Sequence, residues 1–372
     1  METQFATTKT TFLEKLHIDG FLLFALACLM GIGLVTIYSS GGQEMDLVQR
    51  QLTRLGVALV VMFIIAQVPP MAYRRSAIYF YSVGLAMLVA VLLFGDIGKG
   101  AQRWLDLGII RFQPSEIMKL AVPMMVAWYI SKFSLPPRVK HIIFGFILVL
   151  IPTLFIAKQP DLGTSLLVAS SGIFALFLSG MSWRLISFIV VLAGAFAPIM
   201  WFFLMQAYQK QRVITFLNPE SDPLGSGYHI IQSKIAIGSG GVSGKGWLQG
   251  TQSQLEFLPE RHTDFIFAVF SEEFGLFGVI GLLFIYMCII ARGMLIASRA
   301  QDAFSKLLAG SITMTFFVYV FVNMGMVSGL LPVVGVPLPL VSYGGTSMVT
   351  LLAGFGVLMS ISTQKRLLSR QT

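Results

Sequence analysis

Ten stretches of this chain are apolar over about the length that a helix needs to cross a bilayer: residues 21–38, 52–68, 77–94, 116–133, 142–157, 164–179, 185–206, 276–291, 307–330 and 347–362. About 20 such residues span the roughly 30 Å of hydrocarbon. A backbone in lipid must satisfy its own N–H and C=O groups, so each run is expected to be a helix. With 56% of its residues hydrophobic and 12% charged, the chain has too little polar surface for a water-soluble fold, where about 25% is charged. The expected fold is an all-α polytopic membrane protein. It comprises a tail over 1–19, a single membrane domain of about ten helices over 20–364, and a tail over 365–372. The first residues are polar, and the run after them is too long for a signal core and lacks a small-residue cleavage site. No cleaved signal peptide is expected.

The net charge is +9. On a soluble chain that surplus would suggest nucleic acid. Here the basic residues are scattered over loops, which suits membrane orientation and anionic lipid, so no nucleic-acid partner is expected. With the N-terminal tail placed inside, 14 of the 26 Lys and Arg fall on the inner side and 11 on the outer, the last being Lys119 within a run. Acids are more lopsided: Glu2, Glu14, Asp19 and Asp302 are inner, ten are outer, and Glu116, Glu272 and Glu273 sit at the outer boundary. Mixed acid and base on one face, in long loops, points to chemistry or ligand binding there. Cys28 and Cys288 lie inside apolar runs and read as packing residues. His17, His141, His229 and His262 are far apart with no HExxH pattern, which argues against zinc.

The largest outer loop, 207–264, joins the seventh and eighth runs, and its core, 225–264, is rich in glycine and charge. Loops longer than about 12–15 residues are usually functional or disordered. Tyr228, Ile230, Ile231, Trp247, Leu255 and Phe257 give this one apolar side chains to pack, so a structured lid or site is expected. Its run GSGGVSGKG fails the phosphate-loop pattern twice, at Ser239 and Gly246, and its glycines read as turn formers. Asp264 closes the loop, directly before an apolar stretch. It is either the N-cap of the next helix or a partly desolvated carboxylate suited to act as a base.

Three other outer segments carry chemistry. In GAQRWLDLGIIRFQPSEIMK, Gln113-Pro114-Ser115-Glu116 reads as a helix start with Ser115 as the cap. Glu116 and Lys119 then share a helix face just inside the membrane, as a structural ion pair or as catalytic groups. Arg103, Trp104 and Arg111 are interfacial anchors or hold an anionic headgroup. In KQPDLGT, Asp161 is an N-cap or a site residue. The uncharged LPVVGVPLPLVSYGGTS cannot form a regular helix and reads as a cavity wall.

Together GYHIIQSKIAIGSGG, GKGWLQGTQSQLEFLPERHTDFIFA, KGAQRWLDLG, RFQPSE, KQPDLGTS and NMGMVSGLLPVVGVPLPLVSYGGTS closely resemble the SEDS family (shape, elongation, division, sporulation), specifically its form in Gram-negative rods. The resemblance runs from about Asp19 to the C-terminus. It implies a ten-helix inner-membrane peptidoglycan glycosyltransferase with both termini cytoplasmic and 207–264 periplasmic. It would polymerise lipid II as the partner of a class B penicillin-binding transpeptidase, among other elongation-complex membrane proteins. The Asp closing the family's long outer loop is its essential catalytic residue and matches Asp264; the family's Glu–Lys pair matches Glu116 and Lys119. Gln113, Asp161, Lys234, Ser342 and Tyr343 match further characteristic positions. Asp264 would serve as general base, with Lys119, Arg103, Arg111, Lys234, Arg212 and a divalent cation such as magnesium or manganese as candidates to carry the lipid diphosphate. A lipid II flippase and a non-enzymatic scaffold for the transpeptidase are the competing readings.

Overall fold

A computed structural model describes residues 16–98, 101–106, 111–205, 207–222, 225–254 and 260–363. Most of the N-terminal tail, the C-terminal tail, Lys99, the side chain of Arg111 and the segment 255–259 with Glu256 lie outside the described residues.

The helices are α1 (Gly20–Ser40), α2 (Met45–Gln67), α3 (Pro70–Phe94), α4 (Pro114–Ile130), α5 (Val139–Lys158), α6 (Leu162–Leu178), α7 (Trp183–Ile199), α8 (Ala207–Leu217), α9 (Ser226–Ser239), α10 (Thr251–Gln254), α11 (Ile266–Arg299), α12 (Ala303–Val327) and α13 (Thr346–Thr363). Eight of them are long and apolar enough to cross a membrane. The two remaining apolar runs form α4 and α6, each of 17 residues. The sequence did not suggest the small antiparallel sheet between α3 and α4. It is made of β1 (Asp96–Gly98), β2 (Ala101–Asp106) and β3 (Arg111–Phe112), in the order β1-β2-β3.

Helix α4 is the centre of the bundle and buries residues all round, from Pro114 to Ile130. Lipid gives little drive for helices to associate, so small residues that admit close contact matter more. Gly172 of α6 is one: a Cβ there would press into Val122 of α4 and Val149 of α5. At the other extreme, α7 buries none of its residues.

The start of α1 and the end of α13 meet on one face. Asp19 caps α1 by accepting from the Leu22 amide at 3.1 Å. The same carboxylate accepts from the Arg292 guanidinium at 2.6 Å and from Ser362 Oγ at 3.0 Å. His17 Nδ1 lies 3.2 Å from Thr363 Oγ1.

Helix α11 has 34 residues, which would extend about 50 Å at 1.5 Å per residue and overshoot the bilayer. It is broken at Gly275, with φ 63° and ψ −162°. That backbone is almost closed to any residue with a Cβ. The glycine run after α9 docks into the break: the Lys245 and Gly246 amides donate to the Glu272 and Glu273 carbonyls, each at 3.0 Å. In return the Leu276 and Phe277 amides donate to the Gly241 and Val242 carbonyls at 3.0 and 3.2 Å. These glycines thus do more than turn the chain; they replace the hydrogen bonds that a broken helix loses.

Candidate active site

The expected irregular segment lies between α12 and α13, and it is where the predicted residues gather. Val336, Leu338, Leu340, Val341 and Ser342 are buried in it, and Pro337, Leu338, Pro339, Leu340 and Ser342 line a small cavity with Met348 and Leu351, so it both packs against protein and walls a space. Tyr286 Oη donates to the Pro339 carbonyl at 2.8 Å. Gly33 of α1 admits it closely, since a Cβ there would lie 2.8 Å from the Leu340 carbonyl oxygen.

Asp264 sits against this segment in the turn before α11. The N-cap position of α11 falls on Phe265, so capping does not explain the carboxylate. The turn is held from three sides. Ser342 Oγ donates to the Thr263 carbonyl at 2.6 Å, and the Tyr343 amide donates to the His262 carbonyl at 2.8 Å. Asn323 Nδ2, from α12, donates to the Asp264 carbonyl at 2.9 Å. Gly335, at φ 73°, lies directly beside the carboxylate: a Cβ there would be 3.6 Å from Asp264 Oδ2, in contact with it. The Ser342 hydroxyl also accepts from the Leu338 amide at 2.8 Å, so both of its hydrogen bonds serve the loop. The Tyr343 ring carries the Arg54 guanidinium 4.5 Å from its centroid. Gln51 of α2 donates to the Ser342 carbonyl at 3.3 Å.

Glu116 and Lys119 are buried in the bundle and bonded at 2.6 Å. Lys119 also donates to the Tyr319 hydroxyl of α12. Glu116 Oε2 has no hydrogen-bond partner. Lys119 and Tyr319 line a small, mostly apolar cavity with Phe316, Leu351 and Phe355. Ser115 is not the cap of α4: that position is Gln113, with Pro114 first in the helix. The proline fixes the helical φ, so the start shifts back two residues, leaving Ser115 Oγ buried and unpartnered.

Gln113 instead donates to Asp161 Oδ2 at 3.0 Å. Asp161 does cap α6, accepting from the Thr164 amide at 3.1 Å. Arg103 approaches the same carboxylate at 3.7 Å and donates to the Pro160 carbonyl at 2.7 Å. This cluster adjoins the irregular segment, because a Cβ on Gly163 would lie 2.6 Å from the Val334 carbonyl oxygen. Arg212 of α8 reaches the segment too, donating to the Val333 carbonyl at 3.2 Å. Lys234 lies exposed at its far end, over Gly329. For Arg111 only the backbone, in β3, is described.

A second polar knot locks the long loop to α11. Glu272 is fully buried, accepts from Lys245 Nζ at 2.7 Å and takes the Gln252 amide at 3.1 Å. Glu273 accepts from Ser39 of α1. His229 of α9 stacks on Phe265 at 5.7 Å between ring centroids. Burial lowers its pKa, and the nearby acids Glu260 and Asp222 only partly oppose this, so the imidazole is neutral at pH 7. Among the described residues no three His, Cys, Asp or Glu side chains form a metal cage. A magnesium-like ion is usually held by one or two carboxylates plus substrate phosphates, and the partly buried Asp264 carboxylate fits that pattern.

Sequence reasoning missed Asn323, Tyr319, Gln51 and Arg54 as site-building residues. Asn323 had a signal: it is a lone amide in the middle of the apolar run 307–330.

The comparisons with known proteins agree with this architecture. The profile of the FtsW/RodA/SpoVE cell cycle protein family matches residues 17–367. The chain is 58% identical to peptidoglycan glycosyltransferase MrdB of Escherichia coli, over 97% of this chain and 98% of that protein. It is 37% identical to the probable peptidoglycan glycosyltransferase FtsW of Trichlorobacter lovleyi, over 94% of each. Among solved structures, it superposes with a TM-score of 0.81 and 30% identity on a chain from the work "Structural coordination of polymerization and crosslinking by a peptidoglycan synthase complex", covering 92% of this chain and 97% of that one. It also superposes on the rod shape determining protein RodA of Thermus thermophilus, with a TM-score of 0.70 and 28% identity over 92% of this chain and 96% of that one. The chain therefore belongs to the FtsW/RodA/SpoVE, or SEDS, family and is a polytopic peptidoglycan glycosyltransferase of cell elongation.

Proposed function

We propose that Asp264 is the general base with which this glycosyltransferase joins lipid II units into β-1,4 glycan chains by inversion at the donor sugar. The observation that carries the reading is the turn at Asp264. Three hydrogen bonds fix its backbone, its side chain is not the cap of α11, and a glycine lies directly against it.

The carboxylate takes the proton of the acceptor's GlcNAc 4-hydroxyl. That oxygen attacks the anomeric carbon of the lipid-linked MurNAc, and undecaprenyl diphosphate departs with the bonding electrons. One base suffices for inversion, and the diphosphate leaves without a general acid when cations receive its charge. Lys119 and Arg103, with Arg111, Arg212 and Lys234, are the basic groups for that task, and Gln113 with Asp161 aligns the Arg103 end of the site. Ser342 and Tyr343 act by holding the turn. A divalent cation, when bound, would supply further charge neutralisation at the diphosphate, with Asp264 as its protein ligand. The loosely packed α7 supports lateral entry of the lipid tail.

The protein works with a class B penicillin-binding transpeptidase and other elongation-complex membrane proteins; the similarity to a chain of a peptidoglycan synthase complex supports this. It lies in the bacterial inner membrane with both termini cytoplasmic and Asp264 periplasmic. The meeting of α1 and α13 on one face and the inner excess of Lys and Arg support that placement. The domain reading follows: short cytoplasmic tails flank the membrane domain over 20–364. The test is purified protein with lipid II, products resolved by size. Wild type makes glycan chains and Asp264→Ala, folded and membrane-inserted, makes none. Chains at the normal rate from Asp264→Ala would end the proposal.

A further inference from the structure

Asn323 is the sole Asn of α12, fully buried, in a helix that otherwise reads as a plain span. Its Nδ2 donates to the Asp264 carbonyl at 2.9 Å and to the Val336 carbonyl at 2.7 Å. Both partners are acceptors, so the amide nitrogen must face them; the flipped orientation would set oxygen against two oxygens. The Oδ1 atom has no hydrogen-bond partner. A buried unsatisfied acceptor is costly, and a plain packing role would be better served by Leu. One turn earlier on the same helix, Tyr319 contacts Lys119. Residues four apart share a helix face, so one turn of α12 touches both the turn that carries Asp264 and the buried cation.

We infer that Asn323 is a positioning residue: it pins the Asp264 turn and the irregular segment to α12, and so fixes the base relative to Lys119. The inference rests on Asp264 being the base. Displacing a reacting group by about 1 Å can cost on the order of 10²-fold in rate, so loss of this brace acts on the chemical step. Substrate binding, which depends on the loops and groove, is largely kept.

The experiment compares full-length wild type, Asn323→Ala, Asn323→Gln and Asp264→Ala, each purified and monodisperse, in initial rates of lipid II polymerisation over a concentration series. Asn323→Ala is expected to lose on the order of 10²-fold in kcat with KM for lipid II little changed. Asn323→Gln, which keeps the amide donor, regains a large part of that loss. Unchanged kcat in folded Asn323→Ala overturns the inference, as does a loss carried by KM, or no recovery in Asn323→Gln. If Asn323→Ala does not fold, Asn323→Leu, which fills the volume and has no donor, is read by the same criteria. Normal polymerisation by Asp264→Ala would instead remove the underlying reading. Inactive Asp264→Ala beside fully active Asn323→Ala removes this inference alone.

Discussion

Removing the Lys119 charge should separate the two roles that a buried ion pair can have. Lys119 Nζ and Glu116 Oε1 are 2.6 Å apart, each side chain with 6% of its surface exposed. Lys119→Met keeps the volume and removes the cation, leaving Glu116 charged and alone. Breaking a buried pair on one side costs about 3–5 kcal/mol, so Lys119→Met should unfold many degrees below wild type in detergent. Adding Glu116→Gln removes the stranded charge, and the double variant should recover most of that stability, because replacing both members of a buried pair is often neutral. Activity should not follow. If Lys119 receives charge from the departing diphosphate, its loss costs about 10²–10³-fold in polymerisation, the scale of one preorganised donor, in the single and double variants alike. Thermal unfolding and lipid II polymerisation, measured on the same preparations, give both readings. A double variant that regains wild-type stability and wild-type activity would show the pair to be structural and refute the role assigned to Lys119.

Gly275→Ala, at φ 63° and facing the Gly244 amide, should destabilise by about 1–3 kcal/mol, the cost of holding a residue with a Cβ in that backbone region, read as a lower unfolding temperature. Asp19→Asn should cost about 1.5–3 kcal/mol, the scale of charge-assisted hydrogen bonds, from the clamp with Arg292 and Ser362. Burial pushes the Asp19 carboxyl up, but Arg292 and the Leu22 amide leave it below its usual 3.8. Its contribution is therefore fully present above that value and lost as pH falls toward the lower folded one, so the Asp19→Asn deficit should be equal at about pH 6 and 8. Gly335→Val, which is strained at φ 73° and crowds the Asp264 carboxylate, should abolish polymerisation; full activity would show that this close contact is not needed.

The membrane helices were legible because lipid makes the requirement simple: a run of about 20 apolar residues has no other regular fate. The outer residues were legible as charge that a membrane protein does not keep idly. Asp264, Asp161, Gln113, Arg103 and Arg212 do converge on one irregular segment. Three things were hidden. The break at Gly275 lies at the edge of an apolar run and depends on a positive φ that composition does not reveal. The docking of residues 240–246 into that break is made largely by backbone hydrogen bonds, and its side-chain lock, Lys245 with Glu272, joins residues 27 apart in the chain. Asn323 and Tyr319 belong to the site through contacts across the bundle, at separations of 59 and 200 residues. Ser115 was misplaced because Pro114 sets the helix start.

The most direct test of the base is Asp264→Asn, which keeps the size of the side chain and leaves the backbone hydrogen bonds of its turn in place. With pure lipid II and stable, monodisperse protein, the account predicts a fall of about 10²–10⁴-fold in initial polymerisation rate, with substrate still bound. An Asp264→Asn enzyme that extends chains at the wild-type rate would contradict it.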